Sequence, residues 1–488
     1  MSLIQISNLS FAYDGSYDYI FENVSFQIDT NWKLGFIGRN GRGKTTFLNL
    51  LMGKYPYHGN ISSSVTFSYF PYAVSDRSML AIHVIDEIHP NYEHWQLQRE
   101  MNLLQLDEDI LYRPFETLSG GEQSKLMLAV LFLKENNFLL IDEPTNHLDT
   151  KGRELVSHYL NRKKGFILVS HDRAFLDGCV DHILSINKTN IEICRGNFTT
   201  WNENKQRRDN FELAENDKLK REIRRLENTA KEKAAWSNRA ESRKIGDHVF
   251  DRGYVGHKAE KMMARSKAID KRRQTTINEK NKLLKNIERN DTLKIFQKNY
   301  QKNRLVSLRN ISICYSDPPV CEGITFEIQQ GDRIALKGAN GSGKSSIIKL
   351  ICGEKIPHTG ELQIGTDLEI SYVPQDTSFL QGTLSDFIKE SGIEESLFLA
   401  ILTKLDVSCT HIEKDLSELS AGQKKKVLLA RSICQPSHLH IWDEPMNYID
   451  VISRMQIEDL LMTHTPTILF VEHDKAFCEN IATKTVQL

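Results

Sequence analysis

Four short motifs occur twice in this chain, in the same order and at a nearly constant spacing. GRNGRGKTT (Gly38–Thr46) returns as GANGSGKSS (Gly338–Ser346), and LSGGE (Leu118–Glu122) as LSAGQ (Leu419–Gln423). IDEPTNHLD (Ile141–Asp149) returns as WDEPMNYID (Trp442–Asp450), and VSHD (Val169–Asp172) as VEHD (Val471–Asp474). From Lys44, Ser119, Asp142 and His171 to their counterparts the offsets are 300, 301, 301 and 302 residues. Such a chain folds as two copies of one module of about 200 residues, and its 488 residues leave roughly 100 over.

Each copy reads as α/β. LGFIG (Leu34–Gly38) is a short apolar strand that runs into a glycine-rich turn and then a helix. NFLLIDE (Asn137–Glu143) and GFILVSHD (Gly165–Asp172) are apolar runs that end in polar residues, as buried parallel strands do where they deliver side chains to one sheet edge. RIALKG, HLHIWDE and TILFVEHD occupy the same places in the second copy. The expected domains are 1–202, 203–300 and 301–488.

The middle domain has another character. Residues 203–300 hold 27 Lys+Arg against 16 Asp+Glu, a net +11, whereas the rest of the chain carries 36 against 48, a net −12. Leu219, Ile223, Leu226, Ala230 and Ala234 form a narrow helical stripe, and Ile277, Leu284 and Ile287 a second one; Gly246, Gly253 and Gly256 lie between. This pattern predicts two antiparallel helices with a tip near 241–257, each about 57 Å long if it runs for ~38 residues. A flexible spacer would need no apolar stripe. The excess of cations points to a polyanionic partner.

Apolar residues are 40% of the chain, enough for several cores, yet the longest apolar run, Leu126–Leu133, is far below the ~18 residues of a membrane helix. The start, MSLIQISNLS, lacks the basic and apolar regions of a signal peptide. The eight cysteines are scattered with no C-x-x-C pair, which disfavours zinc and iron–sulfur sites and suits a reducing cytoplasm.

G-x-x-x-x-G-K-[ST] is the phosphate-binding loop (Walker A), whose glycines let backbone N–H groups turn onto phosphate oxygens at a helix N-terminus. Gly38, Asn40, Gly41, Gly43, Lys44, Thr45 and Thr46 form one loop, and Gly338, Asn340, Gly341, Gly343, Lys344, Ser345 and Ser346 the other. Lys44 and Lys344 are expected to reach the β/γ-phosphates, with Thr45 and Ser345 on Mg²⁺. Asp142 and Asp443 end apolar strands, where a carboxylate can reach the same ion. Glu143 and Glu444 follow, placed to orient and deprotonate an attacking water. His171 and His473 end the next strand, where a neutral imidazole can hydrogen-bond a γ-phosphate.

With LSGGE and LSAGQ added, the chain resembles the ATP-binding-cassette ATPases. The resemblance implies two cassettes closing head to tail, the signature of one covering the ATP on the other's phosphate loop. One site then joins Lys44, Asp142, Glu143 and His171 to Ser420 and Gly422; the other joins Lys344, Asp443, Glu444 and His473 to Ser119 and Gly121. It also implies that Tyr13 and Tyr315 stack on adenine and that Gln375, in SYVPQD, contacts Mg²⁺ and the attacking water. Tyr72, in YFPY, takes the glutamine's place in the first cassette; either the first site hydrolyses more slowly or a neighbour compensates.

Two fused cassettes around a charged helical hairpin, without a membrane span, resemble the ABC-F translation factors. This implies a 70S ribosome partner, contacted at the E site through rRNA and the P-site tRNA. The gaps Tyr72–Leu118 and Gln375–Leu419, 46 and 44 residues, leave no room for the arm of many general factors, and with 15 residues after His473 no C-terminal extension is expected. NWKLGFIGRNGRGKTT, GFILVSHDRAF, FELAEND and IWDEPMNYID look like the Lsa-type resistance proteins of low-GC Gram-positive bacteria, which protect ribosomes from lincosamides, streptogramin A and pleuromutilins. In that reading Arg243, Lys244, Phe250, Arg252, Tyr254, His257 and Lys258 form a ribosome-contacting tip that displaces the drug indirectly. A housekeeping ABC-F factor and a transporter ATPase docking on a separate membrane subunit are the alternatives.

Overall fold

A computed structural model describes every residue except 1, 16–18, 135, 147, 187–190, 243–292, 316–318, 340 and 408–414. The chain divides into two compact units: Met1–Trp201 with Asn290–Leu488, and Asn202–Arg289.

The first cassette is built on a six-stranded sheet and a three-stranded one. β1 (Leu3–Phe11) pairs antiparallel with β2 (Phe21–Asp29) and with β4 (His58–Ser62). The larger sheet takes β3 (Lys33–Gly38), β5 (Thr66–Phe70), β6 (Asn137–Asp142), β7 (Phe166–Val169), β8 (His182–Ile186) and β9 (Ile191–Arg195) in the order β5-β6-β7-β3-β8-β9. Only the β8–β9 pair is antiparallel. β7 is buried along its whole length and β6 over Phe138–Ile141, which explains their unbroken apolar sequences. The helices are α1 (Lys44–Leu51), α2 (Ala81–Ile88), α3 (His94–Leu103), α4 (Gly120–Leu131), α5 (Thr150–Asn161) and α6 (Arg173–Cys179).

Phe198 and Trp201, buried with ring centroids 5.6 Å apart, anchor the start of α7 (Phe198–Ser242). At 1.5 Å per residue its 45 residues span about 68 Å. The side chains of Ile223, Leu226, Ala230 and Ala234 and the whole second stripe lie outside the described residues, as does the expected tip from 243 on.

The second cassette repeats the plan. β10 (Arg304–Ile313) lies between β11 (Cys321–Gln329) and β13 (His358–Ile364) in an antiparallel sheet. β12 (Arg333–Lys337), β14 (Ile370–Val373), β15 (Leu439–Asp443), β16 (Ile468–Val471) and β17 (Lys484–Gln487) form a parallel sheet in the order β14-β15-β16-β12-β17. Its helices are α8 (Lys344–Ile351), α9 (Leu384–Ser391), α10 (Glu395–Lys404), α11 (Ala421–Cys434), α12 (Val451–His464) and α13 (Lys475–Ile481). In both sheets the phosphate-loop strand and the two carboxylate- and histidine-bearing strands are neighbours, and all three end on one edge.

Candidate nucleotide sites

β3 ends at Gly38 and the chain turns through Gly41 (φ +78°) and Gly43 (φ +89°) into α1; Gly341 (φ +81°) and Gly343 (φ +88°) do the same before α8. Gly43 cannot be replaced cheaply, since a Cβ there would also sit 2.4 Å from Ile20 Cγ2. The Lys44 ammonium is buried under the loop and donates to the carbonyls of Gly38 (2.8 Å) and Arg39 (3.1 Å); Lys344 donates to Gly338 (3.0 Å) and Ala339 (2.8 Å). Tyr13 and Tyr315 are exposed rings beside these loops, their hydroxyls 2.8 Å from Thr46 Oγ1 and 3.2 Å from Ser346 Oγ. An exposed ring anchored at its hydroxyl leaves a face for a base.

Asp142 and Asp443 close β6 and β15. The next residues, Glu143 (φ +51°) and Glu444 (φ +47°), are left-handed, while their N–H groups bond the carbonyls of Val169 (2.9 Å) and Val471 (3.0 Å). Such a conformation costs a non-glycine residue on the order of 1 kcal/mol and is met mostly where function requires it. His171 Nε2 lies 3.2 Å from Glu143 Oε1, and His473 Nε2 lies 3.6 Å from Glu444 Oε1. Burial, with the Lys44 ammonium, pushes His171 well below the ordinary histidine range, so its imidazole is neutral.

The two glutamates differ. Burial and the neighbouring Asp142 raise Glu143 to about 8. Burial pushes Glu444 up as well, but hydrogen bonds from His473 and Asn447 and the Lys425 charge outweigh it and leave Glu444 below its usual range.

The donor set fits Mg²⁺. Thr45 Oγ1 donates to Asp142 Oδ2 at 2.9 Å, which places hydroxyl and carboxylate side by side. Asp443 Oδ1 is a buried carboxylate oxygen with no hydrogen-bond donor among the described residues, beside Ser345. An oxygen left in that state suits a hard cation.

Each site draws on both cassettes. A cavity of about 400 Å³ is lined by Gly341, Gly343, Lys344, Ser345, Ser346, Gln375, Glu444 and His473 from the second cassette. Gly120, Asn146, Leu148 and Arg153 of the first cassette face them. Opposite, Asn40 Nδ2 in the first phosphate loop donates to the Tyr448 carbonyl of the second cassette at 2.7 Å, and a Cβ on Gly422 would lie 3.0 Å from that same nitrogen. Ser119 and Ser420 are the N-caps of α4 and α11, each in a reciprocal capping box with Glu122 or Gln423. The signature's S-x-x-[EQ] spacing is therefore what starts these helices. Gly121 lies in the first turn of α4. The cassettes are further joined by Arg42–Asp406 (3.3 Å), Arg173–Glu458 (2.5 Å) and Lys475–Glu154 (3.3 Å).

The glutamine-loop position separates the sites. Gln375 Nε2 donates to Glu444 Oε2 at 2.9 Å. Tyr72 instead points its hydroxyl at Glu87 (3.4 Å), and it is Tyr69, three residues earlier on β5, that donates to Asp142 Oδ2 at 2.9 Å. Tyr69 is a site residue that the motifs do not mark. Arg153 and Arg454 are two more: Arg153 pairs with Asp172 (2.9 Å) and lines the second site, while the charge of Arg454 acts on Glu143 from the other cassette. Their offset of 301, the same as that of the aspartates, is the signal that could have found them. Asn340 and the seven tip residues Arg243 to Lys258 lie outside the described residues.

Two phosphate loops, each closed by the other module's signature, define a composite ATP-hydrolysing pair of cassettes. The ABC transporter family model matches residues 21–146 and 321–447, more than half of the chain, and the chain belongs to that family as a two-cassette ATPase. It is 29% identical to the ATP-binding protein Uup of Buchnera aphidicola subsp. Acyrthosiphon pisum (strain APS), over 99% of this chain and 80% of that protein. It is 26% identical to the ribosome protection protein VmlR of Bacillus subtilis (strain 168), over 98% of this chain and 85% of that one. The solved RNase-L inhibitor shares the fold, with a TM-score of 0.62 at 19% identity over 99% of this chain and 87% of that one. Among the described residues no helix is long and apolar enough to cross a membrane.

Tyr69→Phe removes one of the two donors on Asp142 Oδ2. Turnover at the first site, isolated in a Glu444→Gln protein, is expected to fall by roughly tenfold to a hundredfold, as for loss of one hydrogen bond to a charged group. Turnover at the second site, isolated in a Glu143→Gln protein, should not change. Steady-state phosphate release from both proteins checks this.

Proposed function

We propose that this chain is a ribosome-protecting ATPase: it binds the 70S ribosome at the E site, and its basic 203–300 segment, touching rRNA and the P-site tRNA, displaces lincosamides, streptogramin A and pleuromutilins from the peptidyl-transferase centre. The observation that carries the reading is a segment of net +11 inserted between two cassettes that together make two nucleotide sites. A polyanion is the partner such a charge recruits, and RNA is the abundant cytoplasmic one. Near full-length similarity to a protein named for ribosome protection supports it.

In this reading ATP closes the cassettes and hydrolysis lets them part. Lys44 and Lys344 hold the phosphates, Glu143 and Glu444 take the proton of the attacking water, and His171 and His473 hydrogen-bond the γ-phosphate. Mg²⁺, held by Thr45 with Asp142 and by Ser345 with Asp443, supplies neutralisation of phosphate charge when bound. Tyr13 and Tyr315 take the adenines.

The test is translation by purified ribosomes inhibited with a lincosamide or a pleuromutilin, with and without the protein. Rescue is the expected outcome. No rescue, with the Glu143→Gln/Glu444→Gln double variant still stalling translation, would keep the ribosome as target and leave a housekeeping factor.

A further inference from the structure

We propose that Lys425 is a positioning residue of the second site, clamping the glutamine loop to the end of the carboxylate strand so that Gln375 stays against Glu444. Lys425 lies on α11 and is 1% exposed. Its ammonium donates to three backbone carbonyls: Pro374 (2.7 Å), Gln375 (3.2 Å) and Asp443 (3.2 Å). Two of these belong to the loop that carries Gln375, and the third is the residue just before Glu444. A lysine has three donors and no acceptor, so this arrangement uses its whole hydrogen-bonding capacity. Burial pushes the Lys425 ammonium down to about 8, and the carboxylates of Glu472, Asp443, Glu444 and Asp376 oppose that shift.

The other cassette shows what happens without it. Ser124 stands where Lys425 does, at the repeat offset of 301. A hydroxyl on one carbon offers a single donor and cannot span a loop and a strand. There the residue matching Gln375 is Tyr72, turned to Glu87. Ser170 likewise stands where the buried Glu472 does, at an offset of 302. Glu472 accepts from the N–H groups of Met446 (2.6 Å) and His473 (3.1 Å), so the second cassette adds a cation and an anion to the two strands that bear its site. A lysine is buried this deeply only where its donors are used.

The inference rests on Glu444 serving the second site, and the experiment separates the two. In a Glu143→Gln protein, the remaining ATP turnover reads the second site. Lys425→Met there is expected to lower kcat on the order of tenfold to a hundredfold, the scale of a misplaced catalytic group. KM for ATP should stay within about twofold, because the phosphate loop is untouched. Adding Gln375→Ala should cost nothing further, since both changes remove the same contact. In a Glu444→Gln protein, which reads the first site, Lys425→Met should leave kcat unchanged. A multiplicative loss with Gln375→Ala, or an equal loss at both sites, would overturn the clamp. If Lys425→Met does not fold, Lys425→Ser with Glu472→Ser, the pair the first cassette carries, takes its place under the same criteria. Undiminished turnover in Glu143→Gln/Glu444→Gln would instead remove the role of Glu444, and the clamp with it.

Discussion

Glu444→Gln is expected to remove most ATP turnover, on the order of a hundredfold at the site it serves, whereas Glu143→Gln should leave most of it. The second site holds its glutamate with Gln375, Asn447 and His473, in a state already ionised at neutral pH. Glu143 lies beside Asp142 without a glutamine-loop amide, raised to about 8. A general base works deprotonated, so the two single variants should also differ in pH dependence. Turnover left in Glu444→Gln should climb as pH rises through about 8, gaining roughly tenfold between pH 7 and pH 9. Turnover left in Glu143→Gln should not climb over that range, because Glu444 is already ionised below it. Single-turnover rates of the two variants across pH measure both effects, and equal rates with equal profiles would contradict the asymmetry.

The second large effect is steric. A Cβ on Gly422 would meet the Tyr448 carbonyl at 2.5 Å and Asn40 Nδ2 at 3.0 Å, the two partners of the hydrogen bond that joins the cassettes at the first site. Backbone cannot yield to a methyl group at that distance without moving the interface. Gly422→Ala is expected to hold the first site open and to lower hydrolysis there on the order of a hundredfold. The melting temperature should fall by only a few degrees, as Gly422 is buried at the contact between the modules rather than in either hydrophobic core. ATPase assays in a Glu444→Gln protein, with thermal melts alongside, check this; wild-type turnover would show that Gly422 and Asn40 do not meet in the working enzyme.

The α/β architecture and the two-cassette plan were legible because function and fold coincide in the repeated motifs: a phosphate loop must follow a strand, and a carboxylate pair must end one. What stayed hidden were residues whose role depends on direction rather than type. Tyr72 holds the glutamine's place in the sequence, but its side chain leaves the site, and Tyr69 reaches Asp142 from within β5. Strand alternation says only which residues share a face, not which hydroxyl arrives. The run Lys424–Lys426 looks like a solvated helix face, yet Lys425 and Lys426 are both buried, Lys426 against Asp450 at 2.8 Å. Burial of lysine follows from what surrounds α11, which no local pattern encodes. Arg153 and Arg454 carried the repeat offset all along but belong to no phosphate-loop motif.

Because each nucleotide is held by both halves, the duplicated modules cannot drift independently. A substitution of Gly422 itself is inherited by the chemistry at Lys44, and one of Gly120 by the chemistry at Lys344. Nor could a gene encoding either half alone replace the whole. Two first halves paired with each other would carry Tyr72 at both sites and a glutamine at neither; two second halves would have Ser342 where Arg42 stands and would lose its bond to Asp406. The heterogeneity of the two copies thus makes their covalent order an inherited trait, and fusion into one chain guarantees that unlike halves always meet.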